Sequence, residues 1–452
     1  MLDRRQLLFG AGLSALLPSA CTLRPRLGGA PAVLLNDVHS RLNPTEVAEV
    51  VPVDSLATMR RALRRAERHG RAISVAGGRH AMGGQQFADG AIHLDMGPLA
   101  RVLDFDREEG TIEVEAGIQW PALVAHYLAA QQDGGPQWAI AQKQTGADRL
   151  SIGGALAANA HGRGLTMPPI VADVESFTLL DASGELRTCS REQDAELFSL
   201  AIGGYGLFGP IYSVRLRLVP RRKLERVVAL RSTEGLIEAF DEQIAAGALY
   251  GDFQFSIDTA EDSFLRDGVF SCYRPADPDA PLPEGQRELA DREWAELLYL
   301  AHADEAEAFR QYSRYYLSTS GQVYWNDSQQ MGFYADDYHG ALDERLGATA
   351  PGSEMITELY VPRGELTGFL AAAASWLRDN RSEVVYGTVR LIERDEDSFL
   401  AWARQPWACT VMNLHVEHSA EGIERAKREL RGLIDLAAER GGSYFLTYHR
   451  WA

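Results

Sequence analysis

The stretch Ile73-Ser-Val-Ala-Gly-Gly-Arg-His-Ala-Met-Gly-Gly-Gln85 constrains this chain more than any other: a strand-like run breaks into glycines around one histidine, His80. Glycine reaches positive φ without a Cβ clash, so such a loop can turn several backbone N–H groups toward one anion and let it come close. Taken alone, this is a weak phosphate-loop signal. A second stretch, Ser151-Ile-Gly-Gly-Ala-Leu-Ala-Ala-Asn-Ala-His-Gly-Arg-Gly164, adds small side chains against which a flat ligand can lie. Together the two loops can hold a pyrophosphate and a ring.

A third glycine cluster, Gly204-Tyr-Gly-Leu-Phe-Gly209, matches G-x-G-x-x-G. That motif works in a Rossmann unit by following a strand and opening a helix. Here a helix-like segment, 194–201, precedes the glycines and a strand-like one, 211–219, follows. The order is reversed, which excludes a nicotinamide site of that kind.

At 452 residues the chain is natural for two domains, and its formal charge of −18 argues against nucleic acid as a partner. Cys21, Cys189, Cys272 and Cys409 show no CxxC spacing, so neither a zinc site nor a disulfide framework is expected, and no metal is assigned. Absence of G-x-S-x-G, H-E-x-x-H and a Walker loop disfavours a hydrolase. Arg4-Arg5 followed by an apolar run ending at Cys21 looks like a twin-arginine export signal over residues 1–30. It predicts a periplasmic or exported protein, with Cys21 a candidate lipid anchor; the opposing reading is a fortuitous basic N-terminus.

With Glu113-Val-Glu-Ala-Gly117 between the first two stretches and Gly203 to Gly209 after them, the ordered set resembles the FAD-binding module of the vanillyl-alcohol oxidase / p-cresol methylhydroxylase (PCMH-type) family, from about Val51 to Pro220. The C-terminal Thr447-Tyr-His-Arg-Trp-Ala452 faintly resembles the ending of aldonolactone oxidases, without their lysine. The resemblance implies an α+β protein: a two-part PCMH-type FAD-binding domain (45–222), a substrate or cap domain on an antiparallel sheet with helices (223–419), and a C-terminal segment (420–452) that rejoins the first domain.

By the same resemblance FAD is the cofactor. Ala76, Gly77, Gly78, Arg79, His80, Ala81, Met82, Gly83 and Gln85 would hold it from the first loop, and Thr145, Gly146, Ser151, Gly153, Gly154, Asn159 and His161 from the second, with Gly209 and Ile211. Many family members bond the flavin 8α-methyl to a histidine placed as His80 is; the residue-level alternative is a loop histidine that bonds its own turn. For Asn159 and His161 the alternative is a helix-end pair satisfied by nearby backbone.

In the second domain, period two puts Tyr386, Thr388 and Arg390 on one face of a strand, and Asn413 with His415 on one face of another. A solvated sheet face would explain this. Resemblance to sugar-oxidising members, which carry an arginine on such a strand, favours an active-site wall: Arg390 stabilises charge, His415 accepts a proton, Tyr386 and Asn413 orient substrate. The expected function is an exported FAD-dependent oxidoreductase acting on a CH–OH group of a sugar, polyol or lactone-like alcohol, with oxygen or an electron carrier as acceptor. Amine (CH–NH) oxidation and a non-catalytic exported binding protein are the alternatives.

Overall fold

The computed structural model describes residues 32–282, 286–332 and 338–451. The twin-arginine segment and Cys21 lie outside the described residues. No helix among those described is long and apolar enough to cross a membrane.

Glu49–Pro52, Ile92–Asp95 and Ile73–Ala76 form a parallel sheet in that order. Parallel strands need a crossover, and here the helix Leu56–Arg68 provides one. Ser55 caps it, its hydroxyl accepting from the Thr58 N–H at 3.3 Å. Met59, Ala62 and Ala66 recur at helical spacing and pack with Val51, Ile92 and Leu94. The strand Ile73–Ala76 then delivers the first glycine loop.

A second sheet is antiparallel, in the order Leu186–Ser190, Val174–Leu180, Ile211–Pro220, Thr111–Glu115, Val102–Asp106, with Trp138–Ile140 paired to the end of Ile211–Pro220. Its core takes in the helices Trp120–Ala130 and Ile152–Ala158 through Trp120, Leu123, Ile152 and Leu156. Val102–Asp106 escapes sequence reading because it is a half-exposed edge strand whose Leu103 faces solvent.

The third sheet has eight strands, in the order Val323–Trp325, Lys223–Ser232, Asp267–Pro275, Tyr250–Phe255, Val384–Ile392, Trp407–Glu417, Gly352–Pro362, Ser443–Tyr444. One face is apolar. Met355, Leu359, Met412, Leu414 and Val389 join Phe369 and Leu377 of the helix Leu366–Asn380 and Leu430 and Leu433 of the helix Ala420–Ala438 in one core. Strand alternation turns Glu358, Arg390 and Asn413 to the opposite face, toward the glycine loops of the first domain.

Asp291–Ala303 and Glu305–Ser318 are separate helices, because Asp304 caps the second by accepting from the Glu307 N–H at 2.9 Å. One expectation is corrected. The helix Ala420–Ala438 does not lead back to the first domain: its apolar stripe packs on the third sheet, and Ser443–Tyr444 extends that sheet. The return is made by the residues after it, where the Gly83 N–H donates to the Thr447 carbonyl at 2.9 Å and Tyr205 Oη lies 3.2 Å from Thr447 Oγ1.

A glycine-walled cofactor cleft

The two glycine loops approach too closely for side chains between them. A Cβ on Gly77 would run into Ser151 Oγ, one on Gly78 would stand 2.5 Å from the Arg149 carbonyl, and one on Gly153 would stand 2.8 Å from Ala116 Cβ. Ser151 fixes its own loop by accepting from the Gly154 N–H at 3.3 Å, at the start of the helix Ile152–Ala158. Arg79 takes a left-handed φ of 56°, a turn that non-glycine residues adopt at a cost.

Ala76, Gly77, Gly78, Arg79, His80, Ala81, Met82, Gln85, Thr145, Gly146, Ser151, Gly153, Gly154, Gly209 and Ile211 line one cleft, and Tyr386, Arg390 and Asn413 line the same cleft from the third sheet. Tyr448 of the C-terminal tail also lines it, as do His39, Gln144 and Glu358, which were missed by sequence reasoning. Glu358 had a usable signal, a lone acid between the apolar residues of Met355-Ile-Thr-Glu-Leu-Tyr-Val361; nothing local marked the others.

Four expected residues stand elsewhere. Gly83 faces the C-terminal tail. Asn159, at a left-handed φ of 49°, ends its helix and is buried, its amide donating to Asp395 Oδ2 at 2.8 Å and its Oδ1 accepting from the Val171 N–H at 3.2 Å. His161 sits behind the wall, Nε2 2.8 Å from Glu358 Oε2. His415 lies two residue pairs beyond Asn413, opposite Glu354. Period two put Asn413 and His415 on one face correctly; it does not say where along the strand the cleft ends.

Burial dominates the charge states. It drives the His80 imidazole down to about 3, helped by the His39 ring, whose Nε2 is 2.7 Å from His80 Nδ1, so His80 is neutral at ordinary pH. For Glu358, burial works toward the neutral acid, but the His161 ring, the Arg390 charge and the Tyr448 hydroxyl together hold the carboxyl below its usual range. Tyr448 and Tyr360 donate their hydroxyls to Glu358 Oε1 and Oε2, at 2.8 and 2.9 Å. Arg390 is buried against its own charge, yet Tyr386 and Glu358 raise it above its usual value.

Gln85 Oε1, Arg390 Nε and Asn413 Oδ1 face this cleft buried and without a hydrogen-bond partner among the described residues. Unmatched buried polar atoms are costly unless a ligand completes them. Glycine backbone on one side and these groups on the other fit a long ligand with an anionic part and a flat polar ring. Residues 47–190 match the model of the FAD binding domain family. That match supports a PCMH-type FAD-dependent oxidoreductase.

The chain is similar to an oxidoreductase of the fasciation locus of Rhodococcoides fascians, 31% identical over 53% of this chain and 52% of that one. It is also similar to the L-gulonolactone oxidase of Bos taurus, 28% identical over 44% and 42% of the two chains. With the L-gulono-1,4-lactone dehydrogenase of Mycobacterium tuberculosis the identity is 28%, over 55% and 52%. The chain thus spans about half the length of the curated relatives it matches. The cleft between the glycine loops and the third sheet, lined by the first-loop backbone and Gln85, is where FAD would be held.

Proposed function

We propose that the chain is an FAD-linked oxidase or dehydrogenase that oxidises a CH–OH group of a sugar, polyol or lactone-like alcohol. The observation that carries this reading is the pairing of a buried guanidinium, Arg390, with a buried carboxylate, Glu358, on the cleft wall across from the His80 loop. The relatives named L-gulonolactone oxidase and L-gulono-1,4-lactone dehydrogenase support the alcohol class.

Bound FAD supplies the hydride acceptor. A carbinol gives up hydride readily only as its hydroxyl loses a proton, so the protein must stabilise oxyanion character and take that proton. Arg390 does the first, a permanent positive charge in a water-poor wall. Glu358 takes the second role in place of His415, which does not reach the cleft; Tyr360, Tyr448 and His161 fix its orientation. Tyr386, held by a hydrogen bond from Gln254 Nε2 at 2.7 Å, and Asn413 orient the substrate. His80, neutral and at the cleft, is the attachment point for a covalent bond to the flavin 8α-methyl. The twin-arginine segment makes this an exported, periplasmic enzyme, with Cys21 a site for lipid attachment.

The test is a turnover screen of lactones, sugars, polyols and amines, run with oxygen and with an artificial acceptor. Turnover of a hydroxyl substrate supports the proposal, and the better acceptor separates oxidase from dehydrogenase. Turnover of amines alone would replace it with CH–NH oxidation. Replacing Arg4 and Arg5 by lysine should abolish export of the folded protein; unchanged export would refute the twin-arginine route.

A further inference from the structure

Beyond the cleft, on the same face of the third sheet, three elements bring histidines around one carboxylate on a fourth. Glu354 comes from the strand Gly352–Pro362, His415 from the neighbouring strand directly opposite it, His302 from the end of the helix Asp291–Ala303, and His339 from the start of the helix His339–Leu346. Glu354 Oε1 is 3.5 Å from both His302 Nε2 and His415 Nδ1. These three atoms lie within 4.8 Å of one another, and none has a hydrogen-bond partner among the described residues. The side chains of Glu354 and His302 are 3% and 4% exposed and that of His415 is 15% exposed, so the centre is enclosed with one accessible edge.

The other carboxylate oxygen is occupied: Tyr338 donates its hydroxyl to Glu354 Oε2, and His339 Nε2 stands 3.3 Å from it. One oxygen is thus oriented by the Tyr338 hydroxyl while the second converges with two ring nitrogens. A cluster held by hydrogen bonds alone would close to roughly 2.7–3.2 Å. Ligands bonded tetrahedrally to one ion at about 2.0–2.2 Å stand roughly 3.3–3.6 Å apart. The 3.5 Å separations match the second geometry. A Cβ on residue 352 would run into the His415 ring, so Gly352 leaves that ring its place.

We propose that His302 Nε2, His415 Nδ1 and Glu354 Oε1 bind one divalent transition-metal ion of the zinc type, with a fourth position for water or a small ligand. Two imidazoles and a carboxylate suit such an ion better than calcium or magnesium, which take oxygen ligands. Tyr338 and His339 act as positioning residues that set the carboxylate. Ile356, two residues along from Glu354, lines the cleft, so the ion would sit about 7 Å along the strand from the cleft wall. It would tie the helix Asp291–Ala303 to the sheet there.

The test uses the purified full chain, stripped with a chelator, dialysed against Zn²⁺ or Co²⁺ and freed of excess ion. Elemental analysis should give about one ion per chain, and the Co²⁺ form should show ligand-field absorption in a difference spectrum. Glu354→Gln and His302→Gln should each lose the ion and that absorption while keeping their flavin content, which reports the FAD site separately. A metal ratio near zero in the unmutated chain, a measurement that needs no variant, would overturn the proposal. So would an unchanged ratio in either flavin-replete variant.

Discussion

His39 Nε2 stands 2.7 Å from His80 Nδ1, and both rings line the FAD cleft. Burial and this neighbour keep His80 neutral down to about pH 3, so its nucleophilic form is fully populated over the working range. Acid-precipitated holoprotein should therefore stay yellow, and His80→Ala should release all of its colour. When FAD is added to apoprotein, attachment should run at the same rate at pH 5.5 and 7.5, where an ordinary histidine would slow several-fold. Full release of colour from the unmutated protein would mean that no bond forms.

Gly77 and Ser151 test the closeness of the two loops. An alanine at 77 would collide with the Ser151 side chain, so Gly77→Ala should lower flavin occupancy by an order of magnitude or more. Adding Ser151→Gly, which clears that side chain, should restore part of it. Equal flavin content in Gly77→Ala and the unmutated protein would show that the loops can separate without cost.

Acid should destabilise the fold through its buried histidines. Burial is the main cause that holds His80 at about 3 and His93 and His449 at about 4, against an ordinary 6.5. Between pH 6.5 and 4 the unfolded chain binds protons at these sites and the folded chain does not, so stability present above that window is lost on acidification. The scale is about 1.4 kcal/mol per pH unit for each group. His93→Gln should flatten the pH dependence of the urea midpoint by roughly one such share; an unchanged slope would mean that His93 is protonated in the folded state.

The flavin module was legible because its glycines are required by geometry. Where Gly77 meets Ser151 and Gly153 meets Ala116 only glycine fits, and that requirement is written directly in the sequence. The third-sheet wall of the cleft was half legible. Period two put Tyr386 and Arg390 on one face and Asn413 with His415 on another, but the cleft ends between Asn413 and His415, which faces Glu354, a tertiary boundary that no local pattern records. Glu358 and the cluster at Glu354 draw their meaning from partners far away in sequence, His161 and Tyr448 for one, His302 and His339 for the other.

The central claim is that Arg390 and Glu358 promote hydride transfer from a hydroxyl-bearing carbon to FAD. Anaerobic stopped-flow mixing of the holoprotein with an aldonolactone or polyol substrate, followed by flavin absorbance, tests it most directly. The flavin bands should bleach in the unmutated protein. Arg390→Ala and Glu358→Gln should each bleach about two or more orders of magnitude more slowly at unchanged flavin content, the scale of losing one preorganised group. Bleaching by both variants at the unmutated rate would contradict the account and place the chemistry elsewhere in the cleft.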